Sequence, residues 1–361
     1  MVITSQMTNN KFFELLPQNF QGFKILLELL DNIREAILLI DKDYQILFFN
    51  KQFKKFFGIN EKNFPKFLYE VIKHRRLYEI IEKVFSTDEE VREEVEVEHP
   101  EKRIFLVTGK PVNLDLGSGY KDTALFSFYN ITRLKRLEQM KTDFVAAVSH
   151  EIKTPITAIK GFAETLLEGA LEDKENARRF LQIIKKHSER LNSLVEDLLI
   201  LSAIELGELK LNRSWISLGE VFDTVITTLE EKARKKGLYL KKELKDGERI
   251  EIYADRDKLI QILINLVDNG IKFTEKGGVT LKYEDKKACI SVIDTGIGIP
   301  EEHIPRLGER FYRVDKARSR ELGGTGLGLA IVKHFVKAHG WKMVIESRVG
   351  KGTSVHLFIG G

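Results

Sequence analysis

Residues 144–162, FVAAVSHEIKTPITAIKGF, put one histidine on the wrong side of an amphipathic helix. At roughly 100° per residue, Phe144, Val145, Val148, Ile152 and Ile156 form one apolar stripe and His150 projects from nearly the opposite side. Glu151 follows it directly, and Thr154 lies one turn on. A water-facing imidazole with an acid and a small hydroxyl beside it is a poor packing group and a good nucleophile. Pro155 removes a backbone donor and is expected to kink this helix. The chain has eight histidines, and an exposed one is ordinarily a solvated surface residue.

The last third of the chain holds groups suited to a nucleotide. In 257–273, DKLIQILINLVDNGIKF, a helical spacing puts Asn265, Asn269 and Lys272 at i, i+4 and i+7, on one face. Amide oxygens suit a hard Mg²⁺ ion that also takes phosphate oxygens and water, and a lysine supplies a point charge for phosphate. Any one of these residues reads equally well as part of a solvated face, but the set does not. A strand ending near 293 delivers DTGIGIP, residues 294–300, and GGTGLGLAIVKHF at 323–335 places a glycine-rich loop at a helix N-terminus, where free amides and the macrodipole favour an anion. The spacing is neither a P-loop, which would need GK[ST], nor a dinucleotide fingerprint. Between them, 299–322 is long and basic and contains ERFYRVDKARSR, as a lid or an irregular segment would.

These groups need at least two kinds of scaffold. A chain of 361 residues with 43% hydrophobic and 31% charged residues is globular and suggests two or three domains. It has no run of about 18 uncharged apolar residues and no basic, apolar leader, so a soluble cytoplasmic protein without a membrane span is expected. One cysteine, Cys289, permits no internal disulfide, and a net charge of +4 spread over interleaved acids and bases argues against a nucleic-acid surface. The pattern from 36 to 130 reads as a hairpin at 36–50, helices at 51–57 and 66–86, and strands at 91–98, 103–112 and 123–130, the last two separated at Gly117, Ser118 and Gly119. From 131 the period turns helical; a second helix, 176–205, carries Phe180, Ile183, His187, Leu191, Leu194, Leu198 and Leu201 on one face. Two such helices cannot bury their stripes alone, and two copies forming a four-helix bundle, hence a homodimer, would solve this. His187 reads as a packed residue of that stripe. From 211, helices at 218–236, 255–272 and 327–339 alternate with strands near 238–244, 278–284, 287–293, 341–347 and 352–359, an α/β sandwich.

HEIKTP in this setting resembles the phospho-acceptor box of sensor histidine kinases. The N-box, DTGIGIP and GTGLGL, in order over about 80 residues, resemble the ATP-binding domain that those kinases share with Hsp90-type chaperones, gyrase-type topoisomerases and mismatch-repair ATPases. The strands and small helices after LLDNIREAILLIDKDYQILFFNKQF resemble a PAS sensor domain, and the helix from 131 the signalling helix that joins such a domain to a kinase. The resemblance implies a multidomain α+β chain: an N-terminal segment 1–22, a PAS domain 23–132 with an antiparallel sheet, a dimerisation and phosphotransfer hairpin 133–210, and an ATP-binding α/β sandwich 211–361. It further implies ATP and Mg²⁺ as cofactors, with Asn269 as metal ligand and Asn265 and Lys272 flanking the phosphates. Asp294 would accept the adenine amino group, with Gly296 and Gly298 letting backbone approach the base. Gly324, Gly326 and Gly328 would bind phosphate with Thr325 and Leu327 between them. Phe273, Tyr312 and Thr353 would complete the nucleotide site, with Phe311 docking the lid and Arg313 reaching the terminal phosphate.

The implied reaction transfers the γ-phosphoryl group to His150, with Glu151 accepting the other ring N–H, and then to an aspartate of a separate response regulator. Thr154 resembles the residue that orients a water for dephosphorylating that regulator. Two other readings share the nucleotide fold. One is an ATP-driven conformational machine, which places the ATP domain first and uses a glutamate where this chain has Asn265; the other is an inactive sensor scaffold, which would have lost a motif. In the sensor region no cysteine is available for a flavin–thiol photocycle, His74 reads as a surface helix residue rather than a haem ligand, and Phe48, Phe49, Phe53, Phe56 and Phe57 read as core.

Overall fold

A computed structural model describes residues 21–59, 65–98, 100–112, 122–244, 250–315 and 324–359. The expected N-terminal segment as far as residue 20, the break at Gly117 to Gly119, and residues 316–322 of the basic stretch lie outside the described residues. Backbone contacts divide the chain into two units, Met1–Thr142 and Asp143–Gly361.

In the first unit, helix α1 (Gln21–Asn32) precedes strands β1 (Ala36–Asp41) and β2 (Ile46–Phe49), helices α2 (Lys51–Phe57) and α3 (Arg75–Thr87), and strands β3 (Val91–Val97), β4 (Arg103–Val112) and β5 (Thr123–Asn130). The strands form an antiparallel sheet in the order β2-β1-β5-β4-β3. The period-2 alternation of β5 decides its faces: Ala124, Phe126 and Phe128 are buried, while Leu125 and Tyr129 are exposed. Asn50 is buried because its amide is fully used. Its oxygen accepts from the Ile37 and Phe53 N–H groups, capping α2, and its nitrogen donates to the Leu30 and Glu35 carbonyls. Phe53, Phe57, Phe105 and Phe128 stack on one another with centroids 4.5–6.0 Å apart, so the aromatic cluster is core. The stretch 66–86 is not one helix. It divides into a 3₁₀ turn, Leu68–Glu70, and α3, with His74 extended at the N-cap. His74 is therefore a half-buried cap residue and not a surface helix residue; its Nδ1 has no hydrogen-bond partner among the described residues.

Helix α4 (Thr132–Thr165) starts where Asn130 Oδ1 accepts the Thr132 N–H, and it continues into the second unit. Pro155 lies inside it with its ring buried, and the helix is unbroken there. It ends instead in a wide turn, Leu166–Ala170, in which Gly169 takes φ 125°, a value that only glycine adopts without strain. Asp173 caps α5 (Lys174–Glu205) by accepting from the Glu175 and Asn176 N–H groups. The α4 stripe is only partly covered within one chain. Phe144, Val148 and Ile152 are half-buried, but Val145 and Ile156 are exposed, as are Leu181, Val195 and Leu199 of α5. His187 is half-buried on α5 with its Nδ1 enclosed.

The rest of the second unit runs β6 (Ser214–Ser217), α6 (Leu218–Lys235), β7 (Tyr239–Glu243), β8 (Glu251–Ala254), α7 (Arg256–Phe273), β9 (Gly278–Glu284), β10 (Cys289–Asp294), α8 (Gly328–His339), β11 (Lys342–Arg348) and β12 (Gly352–Phe358). Five strands form a sheet in the order β11-β12-β10-β9-β7, antiparallel except for β7 beside β9. Val221, Phe222 and Val225 of α6, Leu259, Leu263 and Val267 of α7, and Ile331 and Phe335 of α8 pack with Val279, Leu281, Ile290 and Leu357 of the sheet. A short ribbon, β6 with β8, was not anticipated, because four-residue strands carry too little alternation to register as a period.

Candidate functional site

Two helices and two loops of the second unit supply the candidate chemistry. On α7 the N-cap Asp255 accepts from the Lys258 N–H, and Lys236 Nζ donates to the Ile271, Lys272 and Thr274 carbonyls at the other end. Between these caps Asn265, Asn269 and Lys272 are all half-buried on one face, as their spacing required. Asn265 Nδ2 donates to the Gln261 carbonyl, and a Cβ at Gly328 would come within 2.6 Å of Asn265 Oδ1, so the missing side chain lets the start of α8 close on this helix. The Asn269 amide has no hydrogen-bond partner among the described residues and is open to a ligand. Lys272 is held 2.8 Å from Asp268, which also takes Lys232. Burial would raise the Asp268 pKa, but the two ammonium groups outweigh it and lower it.

Asp294 ends β10. Its Oδ1 accepts from the Gly296 N–H at 2.8 Å and the Thr353 N–H at 3.2 Å, which leaves Oδ2 for another donor. Burial raises its pKa against the pull of those two N–H groups. A Cβ on Gly296 would come within 2.7 Å of the Phe273 carbonyl, so this glycine lets the loop close on the end of α7. Gly298 does something different from what was expected. At φ 71° its missing Cβ makes room for the Arg348 carbonyl and the turn between β11 and β12, not for a base. Thr353 likewise serves the site through its backbone, while its hydroxyl pairs with Ser347 at 2.8 Å.

The glycine loop enters α8 at Gly328, after Gly324, Thr325, Gly326 and Leu327, and the first N–H groups of α8 have no intrahelical acceptor. Gly326 takes φ 77°, with its carbonyl accepting from the Phe311 N–H. Thr325 Oγ1 accepts from the Leu327 N–H and donates to Asp197 of α5 at 2.7 Å. Burial raises the pKa of Asp197, and the Thr325 hydroxyl offsets part of that. Tyr312 hydrogen-bonds to His303 Nδ1 at 2.7 Å, with the Arg306 guanidinium 4.1 Å above its ring. Phe311 lies against Phe144 of α4 with centroids 5.7 Å apart, and Arg310 pairs with Glu205 of α5.

His150 is exposed on α4, as the periodicity required, and Thr154, also exposed, donates its hydroxyl back to the His150 carbonyl at 3.0 Å. Glu151 is not a solvent-facing neighbour. It is buried, and its Oε2 accepts from Arg190 of α5 at 2.7 Å and from Arg313 at 3.1 Å. Arg313, expected to be reaching for phosphate, is instead enclosed, with 6% of its side chain exposed. The same Nη2 donates to the Thr325 carbonyl at 2.6 Å, while its Nε is buried without a partner among the described residues. Arg190, Asp197, Glu205, Asp268 and Lys236 had no motif to mark them. Only their charge on otherwise apolar helical stripes could have singled out the first three.

Among the described residues no helix is long and apolar enough to cross a membrane. Three family profiles match the chain: the PAS domain over residues 26–119, the His Kinase A (phospho-acceptor) domain over 140–207, and the histidine kinase-, DNA gyrase B- and HSP90-like ATPase over 254–360. Sensor histidine kinase WalK of Bacillus subtilis is 38% identical over 242 residues, 66% of this chain and 39% of WalK. Sensor protein SrrB of Staphylococcus aureus is 30% identical over 90% of this chain and 54% of its own length, so the chain spans about half or less of these two relatives. The phosphate regulon sensor protein PhoR of Pseudomonas aeruginosa is 31% identical over 327 residues, 89% of this chain and 71% of PhoR. The crystal structure of histidine kinase ThkA in complex with response regulator protein TrrA aligns over 89% of this chain and 94% of that one, at 26% identity and a TM-score of 0.48. The chain belongs to the sensor histidine kinases, with a PAS domain, a phospho-acceptor domain and an HSP90-like ATPase domain in that order.

Proposed function

We propose that this chain phosphorylates itself on His150 from ATP and passes the group to an aspartate of a separate response regulator, under control of the PAS domain. The supporting observation is the chain of bonds from Glu151, next to the acceptor, through Arg313 to the carbonyl of Thr325 in the glycine loop. It ties the phosphate-binding loop to the acceptor helix at the residue beside the nucleophile.

The residues fit the nucleotide. Asp294 Oδ2 is left open for the adenine amine, the α8 N-terminus and Lys272 suit the phosphates, and the unpartnered Asn269 amide suits Mg²⁺. When bound, Mg²⁺ neutralises phosphate oxygens and so favours their transfer. A ring nitrogen of neutral His150 attacks the γ-phosphorus, the bond to the β,γ-bridging oxygen breaks, and ADP leaves. For Glu151 to take the proton of the other ring nitrogen its carboxylate would have to turn from Arg190 and Arg313 toward His150, and Arg313 would exchange Glu151 for the transferred group. Apolar side chains left exposed on α4 and α5, beside a groove of ≈ 310 Å³ lined by Phe144, Val148, Leu198 and Leu201, suit burial against a second copy in a four-helix bundle.

Incubation with γ-labelled ATP tests this directly. Acid-labile, alkali-stable label should appear on the parent and be absent from His150→Gln; label on both, or on neither, refutes the assignment. Thr154→Ala should retain the label and slow dephosphorylation of the regulator, and equal loss of both activities would remove the phosphatase role.

A further inference from the structure

A carboxylate of the protein itself lies at the loop assigned to the phosphates. Asp197 of α5 accepts the Thr325 hydroxyl at 2.7 Å, and Thr325 belongs to the glycine segment that leads into α8. The same hydroxyl oxygen accepts from the Leu327 N–H, one residue before α8 begins, so the carboxylate is attached to the entry of that helix. Asp197 is half-buried, and among the described residues Thr325 is its only hydrogen-bond partner and no cation forms an ion pair with it. Two charges act on it from further away: Lys272 of α7, which favours the carboxylate, and its chain neighbour Glu196, which opposes it. Lys272 is in turn paired with Asp268 at 2.8 Å. A partly desolvated carboxylate served by one hydroxyl is a poorly compensated charge. It stands where the start of a helix and a lysine suit an anion.

We propose that Asp197 competes with the phosphates of the nucleotide for Thr325 and for the field of Lys272, so that binding of ATP displaces this carboxylate from the glycine loop. The inference rests on the reading above, in which that loop and Lys272 receive the phosphates. Charge decides the direction. A carboxylate and a phosphate oxygen repel one another, and the repulsion grows as water is excluded between them. They therefore do not share one hydroxyl, and the ligand carrying more charge takes it. Two consequences follow from the position of Asp197 on α5. The carboxylate lowers affinity for phosphate-bearing ligands, and loading breaks the bond by which the helix opposite the acceptor helix holds the loop.

Substitutions at this position that differ in charge and in hydrogen bonding separate competition from a mechanical role. The full chain, with Mg²⁺, is titrated calorimetrically with a β,γ-imido triphosphate analogue. The titration returns Kd separately from the fraction of protein able to bind, so partial misfolding of a variant does not distort the readout. Asp197→Asn keeps an acceptor for the Thr325 hydroxyl and removes the charge; it should bind the analogue about tenfold more tightly, the scale of one unit charge near a phosphate in a partly wet site. Asp197→Ala removes both and should also bind more tightly. Asp197→Glu, which keeps the charge, should stay within about threefold of the parent. A carboxylate that merely braces the loop predicts another pattern: no change with asparagine, which keeps the brace, and weaker binding with alanine. Unchanged or weaker binding in either neutral variant would overturn the proposal while leaving the nucleotide site in place. A parent that does not bind the analogue at all would overturn the underlying reading, and this inference with it.

Discussion

On the proposed reading of Asp294 as the adenine acceptor, replacing it by asparagine should make the site reject adenine, with the fold intact. Oδ1 already accepts two backbone N–H groups, from Gly296 at 2.8 Å and Thr353 at 3.2 Å. Those donors require an oxygen at that position, so the carboxamide of the variant must place its NH₂ where Oδ2 stood. An acceptor aimed at the exocyclic amine of adenine thereby becomes a donor. The loss of a hydrogen bond to a charged acceptor costs about 1.5–3 kcal/mol, and two donors left facing each other out of water add about 1–3 kcal/mol. Together that is about 2.5–6 kcal/mol, or roughly sixtyfold to twenty-thousandfold in Kd for ADP. Guanine presents a carbonyl oxygen at the corresponding place, so the preference for ADP over GDP should narrow or reverse. Isothermal titration with both diphosphates measures this, and thermal melting checks that both backbone donors still hold the loop. ADP affinity within threefold of the parent, or GDP affinity falling in step with that of ADP, would refute the reasoning.

Gly298→Ala should destabilise the second unit by about 2–4 kcal/mol in urea melts, because φ is 71° and the new methyl meets the Arg348 carbonyl rather than a movable side chain. Lys236→Met removes the donor to three carbonyls at the end of α7, and should cost about 1 kcal/mol of stability while raising the KM for ATP, as Lys272 and Phe273 lose their anchor. His339 is buried with its neutral ring used at both nitrogens: Nδ1–H donates to the Phe335 carbonyl and Nε2 accepts from the Asp255 N–H. Burial holds its folded pKa below the ordinary 6.5, so its contribution is present above that value and is lost as the pH falls through it toward the lower folded value. Melts at pH 7.5 and 5.5 should show this loss in the parent and a smaller one in His339→Gln. The remainder comes from groups such as His187 and His334, whose pKa values burial also lowers.

Elements long enough to show a period were legible in the sequence. Helix α2, strands β4 and β5, and helices α6, α7 and α8 lie within a residue of the spans expected from alternation and the 3.6-residue repeat. Nothing of that kind marked the β6–β8 ribbon, whose strands have four residues each and pair across an intervening helix and strand. Local periodicity was equally unable to divide 66–86, where apolar spacing persists through the extended His74. At the site, the face shared by Asn265, Asn269 and Lys272 followed from spacing alone. Partners from distant elements did not: Arg190 lies 39 residues from Glu151, and Asp197 lies 128 residues from Thr325. Spacing predicts who shares a helix face, but not which charge another helix will bring to it.

That distinction changes what the His150–Glu151 pair means. As adjacent letters they suggest a nucleophile with its own base. On a helix, adjacent residues point about 100° apart, so a solvent-facing residue can have a buried neighbour. The outcome is a division of labour. His150 stays in water, where another domain or protein can reach it, while Glu151 turns inward to two guanidinium groups, one of them tied to the glycine loop. An acid exposed beside the histidine would be screened by water and indifferent to the nucleotide. One buried between Arg190 and Arg313 is joined through Arg313 to the Thr325 carbonyl of the glycine loop, so a change at that loop reaches it directly.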